Sequence, residues 1–369
     1  MRVLIVSPYP VWPPSHGGRV RVAGLARGLA RAGADVTLLS PWHPRQPRGV
    51  LGPDVDHRTH VLPSSALTAV GQRVAPGQAL LSLEPAALLP RRLLRSMGAF
   101  DVYQFEFCAQ TAWMDHVPPG AAVVYSAHNV EHEFFASEAH RYLLRRGPAR
   151  RLERLERAAV RRSDMVITCS SEDGRRLREL YGEHRTAVVP NGSPSLRTPR
   201  AELRGPGRRQ LDLGPGDRAS VFVGGPAEHN RDAARFLVKD VLPQLGDEHR
   251  LILAGASAGM ARGVRDSRVR ALGYVPDLAP VLAAADVGLN PVAIASGSSV
   301  KVAEYLGGGL PVVSTAAGAR GLGIAPSVRV VPRSRFPEEL ARFQPPPRFG
   351  ASQDWLAMGA MLHAELLAL

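Results

Sequence analysis

The chain has 369 residues, 45% of them hydrophobic, which predicts two or three globular domains rather than a disordered or low-complexity chain. No apolar run approaches the ~18 residues of a membrane-spanning helix, Met1–Ser7 lacks the flanks of a signal peptide, and Cys108 and Cys169 are too few for a disulfide framework or a Cys-rich zinc site, so a cytoplasmic protein is expected. The net charge of +13 comes from basic residues that are arginine everywhere except Lys239 and Lys301 and that are spread along the chain, a bias that fits a GC-rich genome and not a nucleic-acid tract.

The first strand is read at Arg2–Ser7, followed by a Pro- and Gly-rich loop through Gly18, a helix over Arg19–Ala32 stopped by Gly33, and a strand at Asp35–Ser40. That order over about 40 residues is a βαβ unit of a parallel sheet. Further strands are expected at Phe100–Tyr103, Ala121–Ser126 and Met165–Cys169, with a basic amphipathic helix over Arg141–Arg162 that breaks or begins near Gly147-Pro148. Val188–Gly192 closes this half, and Pro194–Gly216 reads as a linker rich in Pro, Gly and Arg. A second series begins with the strand Ser220–Val223. It continues with a helix over Arg231–Leu242, strands at Arg250–Ala254, Val269–Leu272 and Val287–Asn290, a helix from Ser298 to Gly307–Gly309, and the strand Leu310–Ser314. The last stretch, Ser352–Leu369, is expected to be a helix with an apolar face of Trp355, Leu356, Met358, Met361, Leu362, Leu366 and Leu367. Two such halves predict two doubly wound α/β domains, at 1–192 and 217–350, with 351–369 as a closing helix.

The densest constellation of polar and small residues runs from Ser296 to Thr315. A loop of small residues, Ser296, Gly297, Ser298 and Ser299, leads directly into a helix, where free N–H groups and the positive end of the helix dipole suit a diphosphate. Lys301, Glu304 and Tyr305 share one side of that helix. A carboxylate there can accept two hydrogen bonds from a ribose diol and the lysine can offset phosphate charge; a capped surface helix with a Lys–Glu pair fits the same residues.

Val302-Ala-Glu-Tyr-Leu-Gly-Gly-Gly-Leu-Pro-Val-Val-Ser-Thr315 resembles the donor-binding signature of the family 4 retaining glycosyltransferases. The resemblance implies the GT-B fold, two Rossmann-like domains facing across a cleft with the C-terminal helix crossing back to the N-terminal domain. It implies that Glu304 holds the nucleotide ribose and that Gly297–Ser299 receives the diphosphate; a lysine at the position of Lys301 is common in one branch of the family, and its charge is expected to stabilise the leaving diphosphate. Many members carry a further glutamate eight positions upstream that contacts the donor sugar; this chain has Ser296 there, so backbone or another residue must make that contact.

Elsewhere the residues allow two readings each, and the resemblance favours one. Gly17 and Gly18 before the first helix mark a tight turn or an anion-binding loop; their place matches the family's glycine loop, and Arg19 is within reach of the same anion. Ser126–Glu133 resembles the family's His-Asn-x-Glu stretch, which implies that His128 lines the site near the transferred sugar; a helix cap by Asn129 is the structural alternative. His132 and Glu133 permit a metal guess, but without a His-Glu-x-x-His helix no metal is expected. In the second half, the stretch with Gly225, Asn230 and Arg231 resembles the family's phosphate turn without its usual Arg-Lys pair, with Arg231 offered for phosphate charge. Gly273–Asp277 resembles the segment beside the base, through Tyr274 and Val275; a structural turn fits either stretch as well.

The expected activity is therefore transfer of a sugar, with retention, from a nucleoside-diphosphate sugar to a hydroxyl acceptor: a natural product, a glycan precursor or a lipid-linked glycan. Uridine diphosphate is the commonest choice among relatives. The donor is a co-substrate, and no bound cofactor is expected, since neither half shows the Gly-x-Gly-x-x-Gly turn of a nicotinamide dehydrogenase. The helix over Arg141–Arg162 offers peripheral membrane contact or a solvated face. A nucleotide-sugar epimerase and a non-catalytic partner subunit are the alternatives, the latter favoured only by Ser296.

Overall fold

The computed structural model describes residues 1–12, 17–42, 51–60, 88–138, 146–193, 200–294, 297–321, 326–344 and 354–369. The chain forms two compact units. The first comprises Met1–Pro14, Gly18–Pro190 and Trp355–Leu369; the second is essentially Asn191–Asp354.

The first unit is built on a parallel sheet of seven strands: β1 (Arg2–Val6), β2 (Asp35–Pro41), β3 (Val55–His60), β4 (Val102–Glu106), β5 (Ala122–Ala127), β6 (Met165–Thr168) and β7 (Thr186–Val188). Their order is β3-β2-β1-β4-β5-β6-β7. In β1, Val3 and Ile5 enter one buried cluster while Leu4 and Val6 enter another, because successive side chains of a strand face opposite ways and this sheet is covered on both sides. Helices α1 (Gly17–Arg31), α2 (Leu88–Ser96), α3 (Thr111–Met114), α4 (Glu131–Glu138), α5 (Arg146–Arg162) and α6 (Ser171–Tyr181) complete the connections.

The second unit repeats the plan. After helix α7 (Arg200–Gln210), six parallel strands follow: β8 (Arg218–Val223), β9 (His249–Ala254), β10 (Val269–Gly273), β11 (Val287–Asn290), β12 (Val312–Ser314) and β13 (Val328–Val330), in the order β10-β9-β8-β11-β12-β13. Helices α8 (Glu228–Phe236), α9 (Ala279–Ala284), α10 (Val300–Gly307) and α11 (Phe336–Ala341) flank them. In both sheets the strand order reverses beside the first strand, between β1 and β4 and between β8 and β11. Ligands of doubly wound sheets bind outside the carboxyl ends of the strands at such a point.

Helix α12 (Trp355–Leu367) packs within the first unit, placing Trp355, Met358, Leu362 and Leu366 in the cluster that holds Leu25 and Leu29 of α1. The approach is close enough that a Cβ on Gly359 would stand 2.0 Å from the Gly28 carbonyl carbon, so backbone meets backbone there. The buried face is narrower than the sequence reading, since Leu356, Met361 and Leu367 are exposed. Residues at 355, 358, 359, 362 and 366 follow the helical repeat, and the three exposed ones fall off that stripe.

The expected linker at Pro194–Gly216 is a second departure. Residues 194–199 lie outside the described residues, but α7 is a helix despite Pro206 in its interior. Its arginines account for this: Arg200 donates to the Ala285 carbonyl at 2.5 Å, and Arg204 reaches the Ala283 and Ala285 carbonyls and the Asp286 carboxylate. These groups cap the end of α9, so the basic residues that read as linker composition hold the helix to the domain. The helix expected at Arg231–Leu242 begins earlier, at Glu228, and after Phe236 changes to a π turn over Leu237–Val241 and a 3-10 turn over Leu242–Gln244 that contains Pro243. Proline cannot donate to the α-helical ladder, so Pro243 keeps the regular helix from resuming after the π turn.

Candidate functional site

In the first unit the polar residues gather where strand order reverses. Tyr9 follows β1, Glu106 ends β4 and His128 follows β5. Glu106 is fully buried, and its Oε2 accepts from His128 Nε2 at 2.6 Å while its Oε1 accepts from Gln104 Nε2 at 2.5 Å. The other ring nitrogen of His128, Nδ1, lies 3.3 Å from the Tyr9 hydroxyl. Burial alone would raise the Glu106 pKa; the His128 hydrogen bond and charge, then the Arg21 charge and Gln104, outweigh it and hold the group below its ordinary value. Burial, followed by the Glu106 and Glu131 charges, pushes the Tyr9 phenol well above its ordinary range, so it stays protonated.

Gly17 is the first residue of α1, and Gly18 after it stands beside this group. A Cβ on Gly18 would stand 2.6 Å from the Tyr9 hydroxyl and 3.3 Å from His128 Nδ1, so only glycine leaves room for that contact. Arg19 is half-buried, and burial lowers its pKa while Tyr9 opposes the shift.

The rest of the His-Asn-x-Glu stretch is held by structure. The Glu131 N–H donates to Glu156 Oε1 at 2.7 Å, and Glu156 Oε2 takes His132 Nδ1 at 2.9 Å and the Tyr181 hydroxyl at 2.8 Å. Asn129 Nδ2 donates to the Glu131 carboxyl at 3.2 Å. Burial, then the Glu156 charge, pushes the Glu131 carboxyl well up. Glu133 pairs with Arg176 at 2.6 Å, so His132 and Glu133 are engaged by different partners. Among the described residues no group of three metal-capable side chains occurs.

In the second unit the residues around α10 come together. Gly297 has φ +67°, a left-handed turn that suits glycine. Ser299 caps the helix, its hydroxyl accepting from the Val302 N–H, and Asn290 Nδ2 at the end of β11 donates to the same hydroxyl at 3.2 Å. Asn191 grips Ser298 twice, its N–H donating to the hydroxyl at 3.2 Å and its Nδ2 to the carbonyl at 2.8 Å. Tyr305 is buried beneath the helix, its hydroxyl accepting from the Val223 N–H at 2.8 Å. Ser296 lies outside the described residues.

Lys301 Nζ donates to Asn230 Oδ1 at 2.5 Å and stands 4.6 Å from the centre of the Phe222 ring. Desolvation pushes this lysine down to about 7, with the Glu304 charge opposing. Desolvation likewise pushes Glu304 up to about 7 against the Lys301 charge. Both keep partial exposure. Among the described residues no hydrogen bond or ion pair engages the Glu304 carboxylate. The other candidates are more dispersed: Gly225 is half-buried after β8, Arg231 is exposed on α8, Tyr274 is 57% exposed, and Val275 packs against the core.

Sequence reasoning missed Glu106, Tyr9, Asn191 and Asn290 as members of these groups. One signal was present for Glu106: Gln104 and Glu106 alternate with Tyr103 and Phe105 in a strand buried on both faces, where two polar residues need a partner.

Residues 15–194 match the family model described as Glycosyltransferase Family 4, and residues 217–342 match that described as Glycosyl transferases group 1. Comparison with curated protein sequences finds no match. Among solved structures, sucrose-phosphate synthase from Thermosynechococcus elongatus is 17% identical with a TM-score of 0.66, covering 100% of this chain and 94% of its own. Anabaena HepE in complex with UDP is 13% identical with a TM-score of 0.63, covering 100% of both chains. WaaG, a glycosyltransferase involved in lipopolysaccharide biosynthesis, is 18% identical with a TM-score of 0.62, covering 99% of this chain and 94% of its own. These likenesses show a GT-B fold of two Rossmann-like domains, in agreement with the sheets described above. With both halves matched, the chain belongs to the family 4, group 1 glycosyltransferases.

Proposed function

We propose that the protein transfers a sugar, with retention of configuration, from a uridine-diphosphate sugar to a hydroxyl acceptor. The observation that carries the donor half is Glu304: a carboxylate with no described partner, on the helix whose capped N-terminus follows Gly297–Ser299, fits a ribose diol in position and chemistry. Free N–H groups of that first turn and the Lys301 ammonium then meet the diphosphate, and they stabilise the charge that grows on it as the sugar leaves. Asn230 orients Lys301 in this reading, and Arg231 is set aside from the phosphate contacts because it is exposed without a described link to them. His128 serves the transferred sugar or the acceptor hydroxyl. Uridine is favoured because HepE, which shares the fold over its whole length, has been solved in complex with UDP and with UDP-glucose.

Calorimetric titration with UDP, ADP, GDP and TDP tests the donor. Clear binding of UDP over the other three is the expected result; binding of none would return the chain to the reading of a partner subunit that kept the fold and lost the chemistry. Retention is tested by NMR of the sugar released when UDP-glucose is hydrolysed slowly without acceptor. The α-anomer is expected first, and the β-anomer would overturn it.

A further inference from the structure

Glu106 belongs to no motif that led to the site, yet it is fully buried there. A carboxylate oxygen can only accept, so the hydrogen of its 2.6 Å contact with His128 Nε2 belongs to the ring. In the neutral ring Nδ1 is then an acceptor. It faces two things: the Tyr9 hydroxyl at 3.3 Å and the start of α1, where a Cβ on Gly18 would stand at the same 3.3 Å. The charged and titratable groups around the pair are Glu106, Tyr9 and Arg21, with Arg19 and Glu131 acting through Tyr9. His128 keeps about a tenth of its side chain exposed, while Glu106 has none, so the carboxylate acts on a ligand only through the ring.

We propose that Glu106 is a positioning residue of the transfer reaction, fixing the His128 proton on Nε2 so that Nδ1, beside the N-terminal turn of α1, is presented as the hydrogen-bond acceptor for a substrate hydroxyl. The inference rests on the reading of His128 as a residue of the transfer site. In the free protein Tyr9 occupies the acceptor position, and a substrate hydroxyl takes its place by exchanging one O–H donor for another. Gly18 is required for the same reason, since any side chain would fill the space in which that exchange occurs. Gln104 completes the device by donating to the far oxygen of Glu106, which leaves the near one turned to the ring.

Ring-nitrogen NMR of the whole chain tests this, with the His128 signals assigned by their loss in His128→Asn. The wild type is expected to carry its proton on Nε2 in the neutral form. In Glu106→Gln, Gln104 keeps its hold on the carbonyl oxygen, the new NH₂ faces the ring, and the proton moves to Nδ1. Turnover of UDP-glucose, read as UDP released, should then fall in kcat by about a hundredfold, while the Kd for UDP stays within about twofold. Glu106→Asp, which keeps the carboxylate, should retain the Nε2 proton and recover part of the rate. It also serves if the glutamine variant does not fold. A wild-type tautomer and wild-type kcat in a folded Glu106→Gln would show that Glu106 only packs, and an Nδ1 proton in the wild type would overturn the proposal outright. If UDP itself fails to bind, the donor reading fails, and the ring-nitrogen result still decides the role of Glu106.

Discussion

The two units share a sheet order but hold their polar residues differently. In the first, Glu106, His128 and Tyr9 satisfy one another before any ligand arrives, and the carboxylate is held ionised by its neighbours. In the second, Lys301 and Glu304 both sit near 7, each pushed toward neutrality by burial, and Glu304 has no described partner. Glu304 is partly exposed, and in the proposed reading the ribose hydroxyls of the donor supply its hydrogen bonds. One group is finished by the protein; on the proposed function the other is finished by what binds.

The largest effect expected from that difference is on nucleotide affinity. Glu304→Ala should weaken UDP binding by about 2–3 kcal/mol, ~30- to 150-fold, the scale of hydrogen bonds to a charged group. Calorimetry reads this directly. Tm should barely move, because the side chain supports nothing in the free protein. A variant that binds UDP as tightly as the wild type would erase the contrast between the units.

Gly18→Ala probes the finished group and should cost less. The added methyl meets the Tyr9 hydroxyl at 2.6 Å, and the tyrosine must give way, with an expected loss of about 1–2 kcal/mol of stability. Helix propensity returns up to about 1 kcal/mol at this early helical position. Thermal unfolding and UDP titration together separate the outcomes: lowered Tm with unchanged UDP affinity is expected. Unchanged Tm together with weakened UDP binding would place the glycine loop in the donor site instead.

Much of the fold was legible where a strand is a short apolar run, as in β1, β8, β9 and β12, and because Ser299 and Gly297 announce a helix start by chemistry alone. The strand β3 (Val55–His60), polar from Asp56 to His60, went unread. Strand order was not legible, since the pairing of β1 with β4 spans about a hundred residues and leaves no local trace. Lys301 and Glu304 could be found from spacing on one helix face. Glu106 could not, because its partner His128 lies on a neighbouring strand's exit and only the register of β4 against β5 brings them together. Pro194–Gly216 misled for a related reason: its arginines look like linker composition until the Ala283–Ala285 carbonyls they serve are in view. Local signals reveal caps, turns and faces; groups assembled across strands show themselves only as polar residues in the wrong place.

The smallest effect expected is a proton count, and it sharpens the comparison most. A diphosphate beside Lys301 favours the ammonium and raises its pKa from about 7, so at pH 8 UDP binding should take up a proton. Ribose hydroxyls donating to Glu304 favour the carboxylate and lower its pKa from about 7, so at pH 6 binding should release one. Titrations in buffers of different ionisation enthalpy measure the exchange, and its sign should reverse near pH 7. The protons of UDP itself contribute equally to every variant, so differences isolate the side chains. Lys301→Met should abolish the uptake at pH 8 and leave the release at pH 6, and Glu304→Gln should do the converse. Each contribution is at most one proton, worth a few-fold in Kd between pH 6 and 8. Identical exchange in wild type and both variants would mean that the pair is already fully charged in the free protein. The second unit's site would then be as complete without its ligand as the first.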